Sequence, residues 1–120
     1  TYSGEPKFFL SSAQANVLAL SIFLTLTSKQ TWSKLDTVML DDPVQHLDDL
    51  DAVVFLDAIR SLALGHYGKK KQIIISTCDP NLYLLMLRKY SLIEKAGVTF
   101  SALSITNNGG DPEINTDLRR

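Results

Sequence analysis

The sequence has 120 residues, with 12 Lys and Arg against 13 Asp and Glu for a formal charge of −1, and 45% of its residues are hydrophobic. That length suits one buried core and leaves no room for a second domain, while 21% charged residues is too few for a disordered chain. The near-zero balance excludes a surface that is cationic all over, although a local basic patch would not register in the sum, and the single cysteine, Cys78, excludes an internal disulfide. No apolar run reaches the ~18 residues of a membrane span, because Ser21, Thr25 and Thr27 interrupt the longest one, so no membrane partner is expected. Residues 1–10 lack the basic and apolar regions of a leader, and cytoplasm is the expected compartment, with nucleoid association left open. The first residue is Thr rather than Met, so a preceding segment in the natural product is expected.

Ser3-Gly4 and Pro6 mark a loop, followed by the short apolar run Phe8-Phe9-Leu10 and the N-cap pair Ser11-Ser12. A helix is expected from there to Leu26, with Val17, Leu18, Leu20, Ile22, Phe23, Leu24 and Leu26 covering most of its circumference, a pattern that predicts burial on nearly all sides. A polar stretch around Trp32 separates it from Thr37-Val38-Met39-Leu40, a β-type run that ends in Asp41-Asp42-Pro43. Asp48, Asp49 and Asp51 then open a second helix, where negative charge suits the positive end of the dipole, and Gly65 stops it. After a turn at Gly65–Lys71, residues 72–77 form an apolar strand of the parallel-sheet kind, and Asp79-Pro80 opens a third helix running to about Tyr90. Residues 98–105 alternate as a strand, and about 107–120 is expected to be turn and frayed tail, with the turn at Asn107-Asn108-Gly109-Gly110 and the tail from Asp111 to Arg120.

This order predicts a single α/β domain over residues 1–120, with a largely parallel sheet flanked by helices and functional groups at the carboxyl ends of the strands. Two polar tips then lie side by side, Asp41-Asp42 and Ser76-Thr77-Cys78-Asp79. Two carboxylates ~5 Å apart at an effective dielectric of ~20 repel by roughly 3 kcal/mol, so a cation or proton belongs nearby. Side chains of consecutive strand residues face opposite ways, which allows Asp41 to approach a hydrated divalent metal while Asp42 approaches a reacting water. The simpler reading is that Asp42 caps a turn before Pro43 and Asp41 is solvated. Likewise Ser11, followed by Ser12 and Gln14, offers either an anion site at a helix N-terminus or a plain helix cap.

Other features carry less. Gly65 and Gly68 have two residues between them where a phosphate-binding P-loop has four, and Lys70 stands where that loop has Ser or Thr. Lys69-Lys70-Lys71 reads as a solvated turn or a DNA contact, and His46 and His66, without Cys or His at ligand spacing, read as exposed loop histidines.

Taken in order, Phe9-Leu10-Ser11-Ser12-Ala13-Gln14, Thr37-Val38-Met39-Leu40-Asp41-Asp42-Pro43, Leu47-Asp48 and Ile73-Ile74-Ile75-Ser76-Thr77-Cys78-Asp79-Pro80 resemble the C-terminal half of an ABC-type ATPase head. The flavour is that of the SMC, RecF, RecN and SbcC group. The resemblance implies a P-loop NTPase fold whose Walker A half lies elsewhere. It also implies roles. Ser11, with Ser12 and Gln14, takes the signature-motif position that reaches nucleotide on a second head in trans. Asp41 takes the Walker B position that holds Mg2+ through water, Asp42 that of the catalytic carboxylate, Asp48 that of the D-loop aspartate, and Cys78 that of the switch histidine. The implied cofactors are ATP and Mg2+, and the implied partners are the missing N-terminal lobe, a second head in a homodimer, and DNA.

The chain departs from that pattern in four places. Ser12 and Ala13 replace two glycines, which limits how closely the backbone approaches phosphate. Asp42 is one carbon shorter than the commoner Glu, a shift of ~1.5 Å, and ~1 Å misplacements can cost on the order of a hundredfold in rate, although RecF-like heads also use an Asp-Asp pair. Cys78 donates a weaker hydrogen bond than histidine. The phosphate-binding loop is absent from these 120 residues, so the isolated chain is expected to be inactive. The leading expectation is part of an ATPase head that hydrolyses ATP at a head-head interface in DNA repair, maintenance or defence. A degenerate head that serves as a nucleotide-gated dimerisation or scaffolding module is the alternative. A two-metal phosphoesterase built on Asp41, Asp42, Asp48, Asp49 and Asp51 is a third.

Overall fold

The computed structural model describes residues 10–65 and 71–116. Phe8, Phe9, His66, Lys69, Lys70 and the last four residues therefore lie outside the described residues. Helix α1 spans Ser12–Lys29 and begins with a capping box: the Ser11 hydroxyl accepts from the Gln14 N–H at 3.2 Å, and the Gln14 side chain accepts from the Ser11 N–H at 3.0 Å. Ser21 and Thr25 turn their hydroxyls back onto the carbonyls of Val17 and Ser21, which is how polar residues are accommodated inside an otherwise apolar helix.

The expected burial of α1 on nearly all sides is not observed. Only Thr27 is buried, Leu20 and Leu24 are partly buried against the core, and Val17, Leu18, Ile22, Phe23 and Leu26 are exposed. Apolar residues around a helix state what it needs to cover, whereas coverage depends on neighbours, and the described residues supply them on one side only.

Strand β1, Thr37–Asp41, pairs in parallel with β2, Gln72–Ser76, in the register Thr37↔Gln72 to Asp41↔Ser76. Among the described residues this sheet has two strands, fewer than the largely parallel sheet expected. Between them runs α2, Asp49–Leu64, capped by Asp48, whose carboxylate accepts from the Asp51 N–H at 2.8 Å, and ended by Gly65, whose N–H returns to Ser61 at 3.0 Å. Helix α3, Pro80–Tyr90, starts as expected with Asp79 accepting from the Asn81 N–H at 2.8 Å and proline in the first turn.

The core joins Val38 and Leu40 of β1 to Phe55, Leu56 and Ile59 of α2 and to Leu82, Met86 and Tyr90 of α3. The Tyr90 hydroxyl donates to the Leu56 carbonyl at 3.0 Å, its ring meets Phe100 edge-on at 5.8 Å, and Lys89 pairs with Asp57 across the two helices. A short 3-10 helix, Ile93–Ala96, follows.

The strand expected over residues 98–105 is shorter. Val98 and Phe100 pack partly buried on the core and Ala102 is buried, but pairing begins only at β3, Leu103–Thr106. Its partner is β4, Glu113–Thr116, in antiparallel register around Ile105↔Ile114, so this part of the expected tail is a strand. The alternation described a pleated surface without naming its partner, and Glu113–Thr116 becomes legible as a strand only through β3. The hairpin loop keeps Gly109 at φ +84°, a conformation that suits glycine, with its N–H bonded to the Asn107 side chain at 3.0 Å. The Cα radius of gyration is 16.6 Å, against roughly 13.6 Å for a compact domain of this length.

Candidate functional site at the strand tips

Because β1 and β2 are parallel and in register, both chains leave the sheet at the same level, and Asp41 sits directly beside Ser76. The Ser76 hydroxyl donates to Asp41 Oδ1. One residue further, the Asp42 N–H donates to the Ser76 carbonyl at 3.0 Å, extending the ladder past the end of β1. Asp42 then adopts φ +40°, a left-handed conformation that Asp tolerates better than most residues and that concentrates at functional sites. The turn through Pro43 to His46 follows, closed by the Gln45 N–H on the Asp42 carbonyl at 3.3 Å.

That turn brings the Asp42 carboxylate to the residues just past the end of β2. Its Oδ1 accepts from the Thr77 hydroxyl at 3.3 Å, and its Oδ2 accepts from the Cys78 thiol at 3.0 Å and from the Cys78 N–H at 3.4 Å. Thr77 is held in turn by the Asp79 N–H, which donates to its hydroxyl at 3.1 Å. The thiol bond is the main cause that lowers the Asp42 carboxyl below its ordinary value. The Cys78 N–H, Thr77 and the charge of His46 add to it, and partial burial opposes them. The same bond, and then the Asp42 charge, push the Cys78 thiol above its ordinary value.

The structure therefore brings Asp41, Asp42 and Cys78 together. Ser76 and Thr77, which belong to the second polar tip but carry no individual role in the sequence pattern, complete the cluster. Their signal was a pair of hydroxyls at the end of an apolar run level with another strand's acids. Ser11 and Gln14 are exposed and form the α1 capping box, with Ser12 the exposed first residue of the helix. Asp48 is exposed and caps α2. His46 is exposed in the turn. Helix α1 reaches the tip along a groove bordered by Asn16, Phe23, Met39, Asp41 and Pro43. Among the described residues no group of three or more His, Cys, Asp or Glu side chains is placed to hold a metal ion.

No protein-family model and no curated protein matches the sequence. A solved structure from the structural biochemistry of ATP-driven dimerization and DNA-stimulated activation of SMC ATPases matches with a TM-score of 0.62 and 16% identity, over 91% of this chain and 55% of that one. The chain is similar in fold to part of an SMC ATPase. At this identity the likeness establishes the SMC-like α/β fold alone, and the chain spans little more than half of the solved one. Within that fold, the described residues have no helix long and apolar enough to cross a membrane.

Proposed function

We propose that this chain is the C-terminal lobe of an SMC/RecF-like ATPase head, completed by an N-terminal lobe that carries the phosphate-binding loop. The observation that carries the reading is the different partners of two adjacent acids, Asp41 exposed at the tip beside the Ser76 hydroxyl and Asp42, in a left-handed turn, held by Thr77 and Cys78. Such a pair separates metal binding from water activation. Asp41 fits a water-mediated contact to Mg2+, since Ser76 occupies Oδ1 and Oδ2 has no bonded protein partner among the described residues. Bound Mg2+ supplies charge neutralisation at the phosphates. Asp42, kept ionised at neutral pH, orients water and accepts its proton as the water oxygen bonds to the γ-phosphorus and ADP leaves.

A further lobe is supported by the apolar surface that the described residues leave uncovered. An all-parallel sheet is ordinarily covered on both faces, yet Met39 and Ile74 are exposed, as is most of α1. Exposed Ser11, with Ser12 and Gln14, is available to contact nucleotide on a second head, and Asp48 lies on the exposed start of α2 for the seam between heads. ATP then clamps two heads and hydrolysis releases them, with DNA engaged by the rest of the protein. In the full-length protein, Asp42→Asn should preserve ATP-dependent dimerisation and slow steady-state turnover by about a hundredfold or more, the range of a lost general base. Turnover equal to wild type would remove Asp42 from this role.

The second reading, a head that dimerises on nucleotide without turnover, is favoured by the capping box. Ser11 and Gln14 already bond one another, and Cys78 already bonds Asp42. Steady-state ATP hydrolysis by the full-length protein distinguishes the two.

A further inference from the structure

The two acids at the tip are held unequally. Asp42 has three hydrogen bonds to Thr77 and Cys78, whereas Asp41 is exposed and its carboxylate is held by the Ser76 hydroxyl. Ser76 and Asp41 are register partners on the same exposed face of parallel strands that run ~4.8 Å apart, so the hydroxyl reaches the carboxylate without either backbone moving. The Ser76 carbonyl meanwhile receives the Asp42 N–H at 3.0 Å. One residue of β2 thus touches both acids: its hydroxyl donates to Asp41 Oδ1 and also accepts from the Asp42 N–H at 3.4 Å, the same N–H that its carbonyl receives.

We propose that Ser76 is a positioning residue for Asp41. Its hydroxyl occupies Oδ1, fixes the carboxylate plane and leaves Oδ2 for the water shell of a divalent cation bound with nucleotide. This inference rests on the nucleotide reading above. Without Ser76 the exposed Asp41 carboxylate rotates freely, and cation binding has to order it first. Partners that orient a carboxylate bound directly to a metal contribute about 10–100-fold in affinity, and the lower end applies to Asp41, which meets the cation through water. Ser76→Ala keeps the 3.0 Å main-chain bond to Asp42 and removes only the longer 3.4 Å contact of the hydroxyl with the same N–H, so the effect falls mainly on the cation.

The test uses the full-length protein with a non-hydrolysable ATP analogue, and reads Mn2+ binding by electron paramagnetic resonance alongside the Mg2+ dependence of ATP turnover. Ser76→Ala is expected to weaken Mn2+ about tenfold and to raise the half-saturating Mg2+ concentration similarly, without changing metal-free nucleotide affinity. Ser76→Thr, which keeps the hydroxyl, should restore both to within about twofold. Mn2+ binding by Ser76→Ala equal to wild type, while Asp41→Asn loses it, overturns the role of Ser76 and leaves the nucleotide reading standing. Equal losses in Ser76→Ala and Ser76→Thr also overturn it, since a hydroxyl would then not be what matters. If Asp41→Asn binds Mn2+ as wild type does, the nucleotide reading fails and the role of Ser76 fails with it.

Discussion

The two sides of β1 end in opposite circumstances. Val38 and Leu40 join a buried cluster with α2 and α3, in which Leu56 is 0% exposed. Met39, between them in sequence, is 71% exposed and borders an open groove with Phe23 of α1. Apolar side chains occupy both sides of the sheet, as parallel strands normally require, yet the described chain covers one. The comparison separates two kinds of hydrophobic residue. Those on the closed side stabilise this chain, whereas those on the open side have surface left to give to a neighbour.

The largest stability effect should therefore fall on the closed side. Leu56→Ala removes a fully buried side chain and is expected to cost ~2–5 kcal/mol in urea unfolding, from the lost burial and the cavity that remains. Leu26→Ala, at a position on α1 that is 66% exposed, should stay within ~0.5 kcal/mol. Equal losses would mean that α1 is covered in solution, and the contrast between the two sides would disappear.

What could be read from the sequence follows the same division. Local chemistry was legible: Ser11, Asp48 and Asp79-Pro80 start helices where expected, Gly65 ends one, and the two apolar runs become β1 and β2. Asp41, Asp42 and Cys78 were legible as neighbours because they stand at or just past the ends of the two strands of one parallel pair. Features that depend on a distant partner were not. The exposure of α1 depends on what stands beside it. The last strands pair with each other rather than with β1 or β2, and β4 has Ile114 as its single large apolar residue. The bond from Cys78 to Asp42 depends on the left-handed turn at Asp42, which an Asp-Asp-Pro sequence permits without requiring.

A smaller effect sharpens the comparison at the helix starts. Asp48 caps a helix packed through Phe55, Leu56 and Ile59, so Asp48→Ala should lower global stability by about 1 kcal/mol in urea unfolding. Ser11 caps a helix whose only buried residue is Thr27, so Ser11→Ala should fray α1 locally instead. Faster amide hydrogen exchange over the first turn of α1, with little change in the unfolding midpoint, is the expected signature. A midpoint shift as large as that of Asp48→Ala would show that α1 unfolds with the core.

The smallest effect tests whether the open end of the closed pair is held in solution. Cys78 is exposed, but alkylation needs the thiolate, and the bond to Asp42 favours the neutral thiol. Iodoacetamide should therefore react slowly at neutral pH, with a rate that rises through a midpoint above the ordinary thiol value of about 8.5. Asp42→Asn removes the charge, and the midpoint should fall back toward that value. The sign on stability follows for each partner. The raised thiol contributes below its unfolded value and loses that contribution as pH rises through its folded one. The lowered Asp42 carboxyl contributes above its unfolded value and loses that contribution as pH falls through its folded one. The pair accordingly contributes most across the neutral range. An ordinary thiol profile in both proteins would mean that the tip is as loosely held as the uncovered face beside it, and that Asp42 is not oriented before nucleotide arrives.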